Sequence, residues 1–134
     1  MCYLNGFIHQ VGPQFAYLAD CGDKNCADVD ASSLSWFKIA QATHKTGMSI
    51  NDPKAWNMRD TIAGTQSPPG WNVTIPKSLK PGNYIIRHEA IFLRPRGAQF
   101  FPNCAHLTIT GEGTQSPSAD YLVKFPGAYK KSGK

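Results

Sequence analysis

Four histidines are the first places where this chain could do chemistry: His9, His44, His88 and His106. None has the paired spacing with which one helix offers two imidazoles to a metal. His88 and His106 fall in runs that read as strands, where a histidine is more often a structural residue than a ligand. His44 falls in a loop and is expected to be exposed. His9 stands just before Gly12-Pro13, at an expected strand edge, where a side chain can be presented to solvent. No Gly-x-Ser-x-Gly turn is present to raise a nucleophilic serine. There is no phosphate-binding glycine loop. Glu89 and Glu112 are the only glutamates, a poor basis for the paired carboxylates of glycoside hydrolysis. Strand alternation puts Glu89 on the same face as Arg87, which reads as a structural pair or a sheet-surface feature.

The cysteines carry a second kind of chemistry. Cys21 and Cys26 enclose Gly-Asp-Lys-Asn, a spacing that can close a small disulfide loop. Half a zinc site is the alternative, but no second Cys or His pair follows at ligand spacing, and the disulfide is favoured. A disulfide points to an oxidising compartment. Asn72-Val73-Thr74 is a glycosylation sequon, which agrees with secretion. The first eight residues, by contrast, lack the charged start and apolar run of a signal peptide.

The elements that must position these groups are mostly strands. Gln14 to Ala19, Trp36 to Ala40, Asn72 to Ile75, Tyr84 to Leu93 and Leu107 to Thr110 are apolar or alternating runs bounded by Gly and Pro. Helix signals are poor. Asp28 to Leu34 is long enough for one capped turn. Residues from Thr43 to Gly64 read as a long loop with a turn of helix near Trp56. The stretch from Gly111 onward is expected to lie over the surface. The pattern predicts an all-β sandwich.

The bulk numbers agree. A chain of 134 residues fits one domain and is long enough for a real core. Twelve Gly and ten Pro suit a loop-rich β fold better than a helical bundle. The net charge is +5, but the basic residues are scattered except for Lys130, Lys131 and Lys134, so nucleic acid is not an expected partner. No apolar run approaches the roughly 20 residues of a membrane span.

Read in order, several segments together resemble one family. They are His9 to Cys21 with its Gly-Pro and Tyr-Leu-Ala, Trp36-Phe-Lys-Ile39, Trp71-Asn-Val-Thr-Ile-Pro76, and Leu79-Lys-Pro-Gly-Asn-Tyr84. Arg87-His-Glu89, Gly97-Ala-Gln-Phe-Phe-Pro-Asn-Cys104 and Lys124-Phe-Pro-Gly-Ala-Tyr129 complete the set. The ordered set is similar to the fungal lytic polysaccharide monooxygenases formerly called glycoside hydrolase family 61. The resemblance implies an immunoglobulin-like β-sandwich with long loops. It implies a secreted monomer that uses copper and an electron donor to cleave cellulose or a related β-glucan oxidatively.

The resemblance also implies roles for particular residues. His9 matches the second copper histidine, with Gln10 and Val11 where the family usually has one residue before Gly-Pro. Gln99 matches a second-sphere glutamine. Phe101 replaces an axial tyrosine, and Arg94 replaces a second-sphere histidine. The family's other copper nitrogens come from an N-terminal histidine, and Met1 does not supply one. The family's partner for Cys104 is an upstream cysteine, and Cys2 is the only spare. The chain is therefore expected to be a single domain, 1–134, truncated at both ends. As such it would be weak or inactive alone. The alternative is a carbohydrate-binding β-sandwich with no redox chemistry.

Overall fold

Antiparallel strands, two of them eleven residues long, organise this chain. The computed structural model describes residues 7–63 and 69–129. Five strands are present: β1 (Gln14–Asp20), β2 (Trp36–Ala42), β3 (Gly82–Phe92), β4 (Gln99–Ile109) and β5 (Leu122–Val123). They form one sheet in the order β4-β3-β1-β2-β5. The pairing of β1 with β3 is antiparallel. Ile91 N–H donates to Pro13 at one end (3.0 Å), and Cys21 N–H donates to Asn83 at the other (2.9 Å). Pro102 lies within β4, an end strand of the order, the place in a sheet where proline is tolerated. The fold is an antiparallel β-sheet fold of the β-sandwich class with almost no helix, as the alternation predicts.

Two compact units divide the described chain, and the long strands pass through both. The unit of residues 1–16, 40–74 and 88–103 contains the one α-helix among the described residues, α1 (Asn57–Thr61). Trp56 is its N-cap residue, so the expected helical turn is present where it was read. Met58, Ile62 and Ala90 are buried together, with Phe7 and Phe101 packed on them. A short chain of hydrogen bonds ties the helix to β1. Gln14 Nε2 donates to Thr61 Oγ1 (2.7 Å), which donates to the Asn57 carbonyl (2.9 Å). Gln14 is fully buried, and its Oε1 has no partner among the described residues.

The other unit, residues 17–39, 75–87 and 104–134, has its own core of Leu18, Phe37, Leu79 and Tyr84. The Lys124-to-Tyr129 segment is held to this unit by the Phe125 ring, by a Tyr17–Tyr129 hydroxyl hydrogen bond (3.2 Å) and by Lys124 Nζ donating to the Ser33 carbonyl (2.6 Å). Phe125 meets Tyr17 (5.0 Å) and Trp36 (6.1 Å) edge to face, and the Arg87 guanidinium lies 4.4 Å from its centroid. The stretch from Gly111 to Tyr129 lies over the surface, as expected, with none of its residues buried. Beside it, β5 pairs with β2, Trp36 opposite Val123. The Cys21–Cys26 disulfide is formed.

Three local expectations are corrected, and one is met. Asn72 to Ile75 is not a strand. Its alternation is real: Val73 and Ile75 turn inward and Asn72 and Thr74 are exposed, but the segment joins no ladder among the described residues. Burial on one side can be satisfied by packing alone, as Ile75 does against the Leu18 core. One capped turn is present within Asp28 to Leu34, as expected: Ser33 N–H donates to the Asp30 carbonyl (3.0 Å), and the Asp30 carboxylate accepts the Ser32 N–H (2.9 Å). The preceding residues Cys26–Asp28 form a 3-10 turn capped by Asn25. His44 is not exposed; it bridges to Trp56, and its Nε2 is buried without a partner among the described residues. Finally, β4 begins at Gln99 instead of Leu107. Cys2 and the terminal lysines lie outside the described residues.

Gly12 is the tightest point of the unit that holds His9. Its φ is +144°, and a Cβ there would come within 1.7 Å of the Ile91 carbonyl oxygen. We predict that Gly12→Ala costs more than about 3 kcal/mol, since a backbone clash adds to an unfavourable φ. Chemical denaturation measures it, and a loss below about 1 kcal/mol would contradict the packing described.

His88 gives a pH prediction. It lies against Trp71 (5.2 Å between centroids), and burial pushes its pKa down to about 4. The unfolded chain holds that proton from about pH 6.5 downward. The depressed folded value therefore favours the fold above pH 6.5, and that advantage is lost as pH falls toward 4. The loss amounts to at most about 3 kcal/mol. Denaturant midpoints across this window should decline in the native chain and decline less in His88→Phe. Parallel declines in both would contradict it.

Candidate functional site

His9 enters the structure on a short segment bound to the end of β3. Leu93 N–H donates to the Val11 carbonyl (2.9 Å), and Ile91 N–H donates to Pro13. These bonds run either side of Gly12, whose missing side chain allows the close approach. His9 is thereby laid against the last residue of β3. Its imidazole stacks on Phe92, with centroids 4.2 Å apart and planes 17° apart. Phe101 lies 5.2 Å away at 33°, and Phe7 meets the imidazole edge-on at 5.5 Å. Phe7 also meets Phe101 edge-on at 5.2 Å. Three phenyl rings thus fix the orientation of one half-buried imidazole, and Met58, Ile62 and Ala90 pack beneath Phe7 and Phe101.

Strand β4 contributes the other members. Its burial alternates at this end: Gln99, Phe101 and Asn103 are half-buried, while Phe100 and Pro102 are exposed. Gln99 and Phe101 therefore project from the same side of the strand. Phe101 reaches the His9 ring with carbon alone and offers no oxygen donor. Arg94 lies in the turn between β3 and β4, closed by Gly97 N–H to the Arg94 carbonyl (3.1 Å), and it is exposed.

The remaining histidines are not gathered here. His106 is exposed on β4, in the unit that does not hold His9. His88 packs on Trp71 and His44 on Trp56. Among the described residues no three His, Cys, Asp or Glu side chains are grouped closely enough to hold a metal ion. The family resemblance implies copper, which needs several nitrogens. The described residues bring one imidazole to it, with phenyl rings on its other sides, so by themselves they do not fit a copper centre.

Sequence reading singled out His9, Gln99, Phe101 and Arg94 but not Phe7 or Phe92. Phe92 closes a strand and Phe7 precedes His9 by two residues; aromatic residues flanking a lone histidine were the available signal. Asn72 of the sequon is exposed. No helix among the described residues is long and apolar enough to cross a membrane.

Known proteins share this arrangement of strands. Residues 4–134 match the family model of Auxiliary Activity family 9 (formerly GH61). The chain is 41% identical over 131 residues to AA9 family lytic polysaccharide monooxygenase B of Heterobasidion irregulare, covering 97% of this chain and 51% of that protein. It is 47% identical over 124 residues to AA9 family lytic polysaccharide monooxygenase A of Geotrichum candidum, covering 90% of this chain and 38% of that one. A cellulose-active polysaccharide monooxygenase from M. thermophila superposes with a TM-score of 0.84 at 31% identity, over 96% of this chain and 57% of that structure. The chain spans about half the length, or less, of these curated relatives. With the family model matched over nearly its whole length, this chain belongs to Auxiliary Activity family 9, among the lytic polysaccharide monooxygenases.

Proposed function

We propose that the protein to which this segment belongs cleaves cellulose or a related β-glucan by copper-dependent oxidation, with His9 as one copper ligand. The observation that carries the reading is the His9 imidazole, held by Phe7, Phe92 and Phe101 at the end of β3. A ligand histidine must be oriented before the metal arrives, and ring packing does that without occupying its nitrogens. Further nitrogens would come from outside the described residues. Gln99, on the Phe101 side of β4, would serve as a hydrogen-bonding neighbour of the reacting oxygen species. Phe101 would offer the metal no oxygen donor, and copper would supply the redox chemistry when bound.

The segment acts, in this reading, as part of one secreted, monomeric domain supplied by an external electron donor. The Cys21–Cys26 disulfide supports an oxidising compartment, and the exposed Asn72 would carry a glycan. A second reading, a carbohydrate-binding β-sandwich without redox chemistry, is favoured by the site's having His9 as its one imidazole among the described residues.

Copper titration of the 134-residue chain and of His9→Ala tests the ligand role. We expect weak copper binding by the native chain and a further drop of at least about tenfold in His9→Ala, since even outer residues of metal sites carry losses of that size. Unchanged affinity in His9→Ala would remove His9 from the site. A tight site with a three-nitrogen resonance spectrum in the native chain would contradict the expected weak binding. Sedimentation with microcrystalline cellulose tests the substrate. Retention on the pellet is expected, and a chain left wholly in the supernatant would count against both readings.

A further inference from the structure

The turn that follows Phe92 carries two cations beside the His9 ring cage. Arg94 and Arg96 are both exposed, on either side of Pro95. Neither guanidinium has a hydrogen bond or ion pair among the described residues. The carboxylates of the same unit are already engaged or inaccessible. Asp60 is held by Lys45 and Arg59, Asp52 accepts the Lys54 N–H (2.8 Å), and Glu89 is fully buried. The turn is tied to the His9 segment by the Leu93-to-Val11 hydrogen bond and is closed by Gly97 N–H to the Arg94 carbonyl. Apolar surface lies in the same unit: Ile8 is 76% exposed, Phe100 47% and Leu93 37%.

That combination suits a sugar polymer with acidic groups. Exposed apolar side chains offer contact to the carbon faces of sugar rings. A guanidinium offers paired N–H donors matched to a carboxylate. A neutral glucan would give these two cations no counter-charge. We infer that the surface formed by Arg94, Arg96 and the adjoining His9 segment, with exposed Ile8 and Leu93, binds a polysaccharide bearing carboxylate groups, in preference to its neutral counterpart. The inference rests on the polysaccharide reading proposed above and names its substrate class. Arg94 is then a specificity residue facing outward rather than a substitute inside the metal site.

Affinity electrophoresis of the 134-residue chain through carboxymethylcellulose and hydroxyethylcellulose tests this, since both have the same β-glucan backbone and only one is charged. We expect binding to the charged polymer to be at least about tenfold tighter at low salt, as about 1.4 kcal/mol of charge-assisted hydrogen bonding gives. Arg94→Gln/Arg96→Gln should lose that preference. Lys24→Gln/Lys77→Gln, with the same change in net charge on exposed residues of the other unit, should keep it. Circular dichroism melts of both variants check that the fold is kept. Equal binding to the two polymers, or a preference retained in the arginine variant, would overturn the inference and leave the polysaccharide reading intact. An equal loss in the lysine variant, or equal competition by duplex DNA, would reduce it to general charge attraction and overturn it. Failure to bind either polymer would sink the inference and the polysaccharide reading together.

Discussion

The close approach of Gly12 to the Ile91 carbonyl governs where His9 can be. A histidine outside a strand has wide freedom until its backbone is fastened. Here the fastening is two hydrogen bonds, from Leu93 to Val11 and from Ile91 to Pro13, on either side of a residue with no side chain. Any Cβ at position 12 would meet the carbonyl oxygen before those bonds could form. Pro13 then sets the chain extended as it enters β1. With the backbone held, the imidazole is brought onto the ring of Phe92, the nearest of its three aromatic neighbours, and stacks there.

Everything else near His9 supports that ring stack. Phe101 and Phe7 close the cage, and both rest on Met58, Ile62 and Ala90. The helix that brings Met58 and Ile62 is only five residues long and would not persist alone. It is held by Trp56, whose indole N–H donates to the Ile50 carbonyl (2.9 Å), and by the buried Gln14–Thr61–Asn57 chain. A loop that looks unstructured by composition thus forms the floor of the site. The same dependence explains why Phe101 and Gln99 matter as a pair: strand alternation cannot present one to the His9 side without the other.

Much of this was legible in the sequence, for physical reasons that differ by element. β1, β2 and β3 announced themselves through alternation bounded by Gly and Pro. Asn72 to Ile75 shared that alternation and is not a strand, because one-sided burial does not require a ladder partner. The start of β4 was obscured by Phe100-Phe101-Pro102, since consecutive aromatics hide a period of two and proline argues against a strand unless it lies at an edge. The disulfide was readable from spacing and composition together. The ring cage was not, because Phe7, Phe92 and Phe101 come from three separate segments and meet only through the fold. The resemblance supplied His9 and Gln99 as candidates; the packing supplies the reason His9 points where it does.

The most direct test of this account is a nuclear Overhauser spectrum of the labelled chain, recorded at the His9 ring protons. Cross-peaks from His9 to Phe92 and Phe101, with His9 ring shifts moved upfield by the stacked phenyl, are the predicted result. His9 protons at random-coil shifts, with no contact to either ring, would contradict the cage and every functional reading built on it.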